Sequence, residues 1–177
     1  MDDDVRIMLE SASGKVERFA EIVARHQSSL FRVAMSRLGN RAAAEDAVQE
    51  TFLAAFRGRA TFKADRPFRP WLWTIHRNVC EASAKKERRF PGSTDVGQVA
   101  AMMDRAADRM LVQELLERLP AEQADAVRLR FFGSLTYEEI AAVQECPTPT
   151  AKNRVRYALQ KLATLAGDAE TQTKGRT

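Results

Sequence analysis

Residues Leu135 to Leu165 hold two short helices, each with its own start signal, and this pair constrains the chain more than any other stretch. Thr136 and Glu139 have capping-box spacing: the hydroxyl can accept from the Glu139 N–H, and the carboxylate can reach back to the Thr136 N–H. Leu135 and Ile140 stand where a hydrophobic staple closes over such a cap. The pattern predicts a helix to about Gln144, a turn at Glu145-Cys146-Pro147, and a second helix with Thr148 as N-cap. Pro149 then takes the first helical position, where a missing N–H costs nothing. Ala151, Val155, Ala158, Leu159 and Leu162 share one face of that second helix. Thr150, Lys152, Asn153, Arg154, Arg156, Tyr157 and Lys161 occupy the rest. A short helix, a tight turn and a basic helix is the layout of a DNA-binding helix-turn-helix. Such pairs also occur as plain packing units, and basic faces are often only solvated. Two features favour nucleic acid. Thr150 to Lys161 holds four basic residues and no acidic one. The threonine, asparagine and tyrosine among them can reach base edges and phosphates.

Composition narrows the remaining choices. A chain of 177 residues has room for one domain or two small ones, and 45% hydrophobic with 29% charged residues is globular rather than disordered. The net charge of +4 is mild, so nucleic-acid binding has to be argued from where the charge sits. No apolar run approaches the roughly 20 residues that span a membrane, and Met1-Asp-Asp-Asp lacks signal-peptide character, which predicts a cytoplasmic protein. Cys80 and Cys146 lack paired-ligand spacing and read as free thiols. His26 falls on an apolar stripe and reads as a packed histidine; His76 is likewise isolated. There is no nucleophile–base pairing, Gly-rich phosphate loop or catalytic carboxylate dyad. Neither enzymatic activity, nor a cofactor, nor a metal, nor a small-molecule substrate is expected.

Taken in order, residues 1–14 are acidic, then small and polar, and predict a frayed terminus. Phe19, Ile22, Val23, Leu30, Val33 and Leu38 recur at helical spacing, as two helices or one kinked helix, before Gly39-Asn40 stops the stretch and offers an N-cap. From Arg41 to about Phe56, Ala44, Val48, Phe52 and Ala55 share a face, while Glu45, Asp46, Gln49 and Glu50 form an acidic outer side. On spacing alone that side reads as solvated. Gly58 to Pro70 carries two prolines and scattered basic residues, and reads as an ordered loop leading into a helix that Pro70 enters. This helix, ending near Arg89, has the stripe Leu72, Ile75, Val79 and Ala82, with Trp71 and Trp73 bracketing it. Trp71 reads as core, and Trp73 is left open between core and surface. Lys63 to Arg89 holds eight Lys or Arg against three acids, and charge beside aromatic rings suits single-stranded nucleic acid. Phe90 to about Ala107, with Pro91-Gly92-Ser93-Thr94, reads as a linker. Met110, Leu111, Leu115, Leu116 and Leu119 mark a helix before Pro120. Ala124, Val127 and Phe131 mark another that Gly133 ends, completing a four-helix unit with the helix-turn-helix. The fold class expected is all-α: two small helical domains on a flexible linker, followed by a disordered tail from 168.

The two halves together resemble the sigma-70 family of RNA polymerase sigma factors, in its small extracytoplasmic-function group. Ala44-Glu-Asp-Ala-Val-Gln-Glu-Thr-Phe52 and Phe68-Arg-Pro-Trp-Leu-Trp-Thr-Ile-His-Arg-Asn78 resemble the family's region 2. Leu119-Pro120, Leu135-Thr-Tyr-Glu-Glu-Ile-Ala141 and Thr150-Ala-Lys-Asn-Arg154 resemble region 4. The resemblance covers about residues 16–165, and the two motif sets in this order are far more specific than either alone. It implies a region 2 domain over 1–90, a linker over 91–107 and a region 4 domain over 108–167. It also implies that the acidic side of Glu45, Asp46, Gln49 and Glu50 docks on core polymerase at the β′ clamp helices, reversing the reading from spacing. Lys63, Arg66, Phe68, Arg69, Trp73, Arg77 and Asn78 would then meet the melted minus-ten strand. Thr150, Lys152, Asn153, Arg154, Arg156 and Tyr157 would meet the minus-thirty-five duplex. The β flap of core polymerase, promoter DNA and an anti-sigma factor are the further partners implied; a membrane-bound anti-sigma factor would hold the protein at the inner membrane.

Three positions depart from the family pattern. Glu145 stands where the helix-turn-helix turn usually has glycine, Pro149 where glycine usually precedes the opening threonine, and Ala82 where an aspartate is common. They suggest altered promoter preference or weaker binding by region 4. The rival readings are a stand-alone helix-turn-helix regulator that binds duplex as a dimer, and a helical adaptor without DNA. The first leaves the basic aromatic stretch Lys63–Arg89 unexplained, and the basic recognition helix disfavours the second.

Overall fold

The computed structural model describes residues 2–89 and 111–174. The chain divides into two compact units, Met1–Ser93 and Thr94–Thr177, and among the described residues neither contains a strand. The linker expected over 91–107 lies outside the described residues.

The first unit opens with α1 (Asp3–Ala12), where a frayed terminus was expected. The side chain of Asp2 accepts from the Asp4 N–H at 3.3 Å, and Asp3 and Asp4 place negative charge against the helix dipole in the first turn. Ile7 and Met8 are fully buried and Val5 nearly so, and each such side chain contributes about 1.5–3 kcal/mol by leaving water. The apolar run is too short for helical periodicity to stand out in the sequence, but it is long enough to dock one helical face. A single 3-10 turn (Val16–Arg18) leads into α2 (Phe19–Leu38), which runs unbroken. Gly39 ends α2 in the left-handed region with φ 67°, and the Asn40 side chain caps α3 (Arg41–Gly58) by accepting from the Ala43 N–H at 3.0 Å. α4 spans Phe68–Arg89, so Pro70 falls at its third position rather than at its entry.

α2, α3 and α4 pack together, with α1 against α2 and α4. The buried face of α4 is Phe68, Leu72, Trp73, His76 and Cys80, turned from the expected stripe: Ile75 and Val79 are only half-buried and Ala82 is exposed. The indole of Trp73 takes the interior, and the His76 imidazole follows because it has partners there. Thr51 Oγ1 lies 3.0 Å from His76 Nδ1 while donating to the Ala47 carbonyl at 2.6 Å, and Cys80 Sγ lies 3.6 Å from Nε2. Burial pushes the His76 pKa down to about 4; the Arg37 charge adds to this and the Leu30 backbone opposes it.

In the second unit a helix over 111–117, here α5, precedes α6 (Ala121–Val127), α7 (Tyr137–Val143) and α8 (Thr148–Lys174). Leu116, Leu119, Ala124, Val127 and Ala158 form one cluster of its core, with Phe132 and Leu162 against it. Beyond Val127 the chain widens into a π-helical turn over Arg128–Phe132, closed by the Gly133 N–H donating to the Arg128 carbonyl at 3.0 Å. The wider turn shifts the register by about one residue. Phe131, expected on the apolar stripe, is therefore 55% exposed, and Phe132 packs in its place. The left-handed residue after this turn is Ser134, φ 56°, rather than the neighbouring glycine. α8 continues past Leu165 to Lys174, through part of the segment expected to be a disordered tail. Ala166, Ala169, Glu170 and Gln172 are good helix formers, and no proline interrupts them.

Candidate nucleic-acid and protein interfaces

The helix-turn-helix is built largely as its sequence spells it. The Glu139 N–H donates to Thr136 Oγ1 at 3.2 Å, and the Thr136 N–H donates to Glu139 Oε2 at 2.8 Å, completing the capping box over fully buried Leu135 and Ile140. At the far end of α7, the Cys146 N–H donates to the Ala141 carbonyl at 3.0 Å and the Glu145 N–H to the Ala142 carbonyl at 3.4 Å. This is a Schellman turn whose left-handed position is Glu145, φ 50°. The glutamate thus adopts the conformation that the usual glycine would adopt, at a local cost. The Pro147 carbonyl accepts from the Ala151 N–H at 3.1 Å, so α8 begins one residue earlier than expected. Pro149 sits second in the first turn, still without an orphaned bond.

α8 buries Ala151, Val155 and Ala158; Leu159, expected with them, is 42% exposed. Lys152, Asn153, Arg156 and Tyr157 are exposed and Thr150 half-buried. The Arg156 guanidinium stands 4.9 Å from the centre of the Tyr157 ring and donates to its hydroxyl at 3.1 Å, so the two form one polar projection. Arg154 differs from the other basic residues of this face. It donates to Gln144 Oε1 at 3.0 Å and pairs with the Glu122 carboxylate, while Gln144 Nε2 donates to the Glu122 carbonyl at 2.9 Å. Its guanidinium ties α6, α7 and α8 together, and its side chain is half-buried where Lys152 and Arg156 are exposed.

In the first unit the structure separates residues that the sequence grouped. Lys63 and Arg66 are exposed on the loop before α4, and Arg69 is half-buried. Phe68 is 0% exposed and Trp73 1%, so neither offers a face to an unstacked base. Both are core because their apolar area outweighs the value of a surface position. The half-exposed aromatic beside this loop is Trp71, which sequence reasoning assigned to the core; its ring lies 5.0 Å from Phe62 and 5.8 Å from Phe68. Arg77 is half-buried and 3.6 Å from Glu81, which also lies 3.4 Å from Arg37. Asn78 is exposed but stands ten residues along α4 from Phe68, about 15 Å away at 1.5 Å per residue.

Asn78 faces α3 instead. A groove of about 600 Å³ between α3 and α4 is lined by Asp46, Gln49, Glu50 and Leu53 on one side and by Asn78, Val79, Ala82 and Ser83 on the other. Three of the four residues expected on the acidic side thus border one cleft. Glu45 is exposed outside it and accepts from Arg41 Nε at 2.8 Å. Leu53, 48% exposed, is an apolar floor that the sequence did not single out: it follows Phe52 by one position and so falls off the core stripe. Ala82, the departure from the family's aspartate, opens onto the same groove.

Among the described residues no helix is long and apolar enough to cross a membrane. Residues 22–90 match the family model for Sigma-70 region 2, and residues 109–162 that for Sigma-70, region 4. The ECF RNA polymerase sigma-E factor of Escherichia coli (strain K12) is 30% identical over 159 residues, covering 80% of this chain and 83% of that one. The RNA polymerase sigma-H factor of Pseudomonas aeruginosa is 25% identical over 171 residues, covering 87% and 89%. Among solved structures, CnrH in complex with the cytosolic domain of CnrY aligns with a TM-score of 0.79 at 27% identity, over 94% of this chain and 99% of that chain. The sigma factor RpoE of Bartonella quintana, in complex with the anti-sigma factor NepR, shares the fold with a TM-score of 0.63 at 24% identity, over 84% and 96%. The chain therefore belongs to the sigma-70 family, in its extracytoplasmic-function group: it is an alternative sigma factor, which binds core RNA polymerase and directs promoter recognition and transcription initiation.

Proposed function

We propose that this sigma factor divides its work among three surfaces and supplies no chemistry of its own. The α3–α4 groove, with Asp46, Gln49 and Glu50 around Leu53, receives the β′ clamp helices of core polymerase. Charge around an apolar floor suits a helical partner with basic flanks. The loop carrying Lys63 and Arg66, with half-exposed Trp71 beside it, takes the melted minus-ten strand, pairing phosphate attraction with a stacking face. The exposed edge of α8, with Lys152, Asn153, Arg156 and Tyr157, reads the minus-thirty-five duplex through the major groove. Within the first unit, residues 1–90 are the region 2 domain, and within the second, residues 108–167 are the region 4 domain. An anti-sigma factor holds the protein inactive, a reading supported by the partners seen on CnrH and RpoE.

The observation that carries this reading is the groove, which gathers acidic residues of α3 and polar residues of α4 around an exposed leucine in one cleft. The test is co-purification with core polymerase, followed by transcription from the protein's own promoter, mapped after overexpression. Asp46→Arg should abolish co-purification while leaving helicity unchanged. Lys63→Ala and Arg66→Ala should impair transcription from duplex and be partly rescued by a pre-melted minus-ten bubble, whereas Arg156→Ala should not be rescued. Unchanged core binding by Asp46→Arg with Gln49→Ala overturns the groove assignment.

A further inference from the structure

The loop between Phe62 and Phe68 is held by rings. Phe62 opens it and Phe68 closes it, both buried, with ring centres 5.9 Å apart and nearly perpendicular. Between them, the Arg66 N–H donates to the Lys63 carbonyl at 3.1 Å, a single turn, and Lys63 to Pro67 are exposed. A loop so built takes its position from its anchors.

Behind Phe68 stands His26, whose ring centre is 5.6 Å away. His26 is buried, and its Nε2 lies 2.7 Å from Asp4 Oδ2. The other oxygen of Asp4 accepts from Arg25 at 2.8 Å, and Arg25 also reaches Asp3. Burial works against the Asp4 charge, but the bonds from His26 and Arg25 overcome it and hold the carboxyl below its ordinary pKa. The helix that carries Asp4 also packs on the 3-10 turn Arg59–Thr61, from which the chain enters the loop. α1 therefore borders the loop's entry directly and its exit through His26 and Phe68.

We propose that the buried Asp4–His26 pair is a positioning pair for the Lys63–Arg66 loop, setting Phe68 and thereby the placement of the charged side chains offered to the melted strand. That last step rests on the minus-ten assignment above; the mechanical step does not. Both side chains are buried, so the pair acts through Phe68 rather than at the protein surface. The pair makes the amino-terminal helix part of the opening machinery.

The test uses the full-length protein with His26→Leu, which keeps the bulk and removes the bond, and with Asp4→Asn, which keeps an acceptor oxygen and removes the charge. Peptide-resolved hydrogen exchange should rise about tenfold or more over 59–68 in His26→Leu, and less in Asp4→Asn, while α3 stays within about twofold of the parent. Exchange that rises equally across the first unit in both variants, or is unchanged over 59–68, overturns the proposal, because a general stabiliser or an idle pair would behave so. In holoenzyme, Asp4→Asn should slow transcription from duplex and recover on a pre-melted bubble. If 59–68 loosens but neither Asp4→Asn nor Lys63→Ala alters opening, the brace stands and the strand assignment falls. If Lys63→Ala impairs opening while 59–68 keeps the parent's exchange in both variants, the brace alone falls.

Discussion

Arg154 donates to Gln144 Oε1 at 3.0 Å, so a residue of the recognition helix is bonded to the C-cap of the helix before it. The same guanidinium pairs with Glu122 on α6. Arg154→Ala should therefore destabilise the second unit by about 1 kcal/mol through its lost hydrogen bonds. Arg154→Lys should recover little, because an ammonium cannot keep the planar two-partner geometry. Thermal unfolding measures both. If lysine restores the parent's stability, the fork is not what holds the helices.

Glu145 pays the left-handed penalty at the helix-turn-helix turn, φ 50°. Glu145→Gly should raise stability by up to about 1 kcal/mol, the strain relieved less the entropy that glycine adds to the unfolded chain. Gln144→Gly, one residue earlier at φ −91°, gains no such relief and also loses the bonds to Glu122 and Arg154, so it should lower stability. Denaturant midpoints of the two variants should move in opposite directions.

His76 should make folding sensitive to mild acid. Its pKa falls from 6.5 to about 4 on folding, so between those values the unfolded chain binds a proton that the folded one refuses. The contribution is complete above about pH 6.5 and is lost as pH falls toward 4, amounting to about 3 kcal/mol at 1.36 kcal/mol per unit. His76→Gln should flatten the stability profile in this window. A parent profile that is already flat there would show that the imidazole is not held neutral by burial.

The π-helical turn over Arg128–Phe132 makes a ranking that an ordinary helix would reverse. Phe131→Asp should change stability by no more than about 0.5 kcal/mol, since the ring is exposed. Phe132→Asp should cost about 2 kcal/mol or more, because it places a carboxylate against the apolar core. Urea unfolding of the two variants distinguishes the registers.

What the sequence determined by itself is what depends on neighbours along the chain. The Thr136–Glu139 capping box, the Gly39 stop, the Asn40 cap and the buried face of α3 each need only a few consecutive residues, and each forms as its spacing requires. Which of two suitable side chains turns inward was decided by the tertiary structure. Trp73 and Trp71 are alike in local signal, yet Trp73 fills the interior of the first unit while Trp71 stays at its edge. Leu159 and Phe131 stand at apolar positions but face outward, the latter because one wide turn shifts the register. α1 reads as an acidic, frayed end until Arg25 and His26, more than 20 residues on, supply the partners for Asp3 and Asp4. Arg154 likewise reads as one more basic residue of the second helix until Glu122, 32 residues before it, pairs with it. Local hydrogen bonds and helical periodicity act within about one turn, whereas ion pairs and core volume couple residues that only folding brings together.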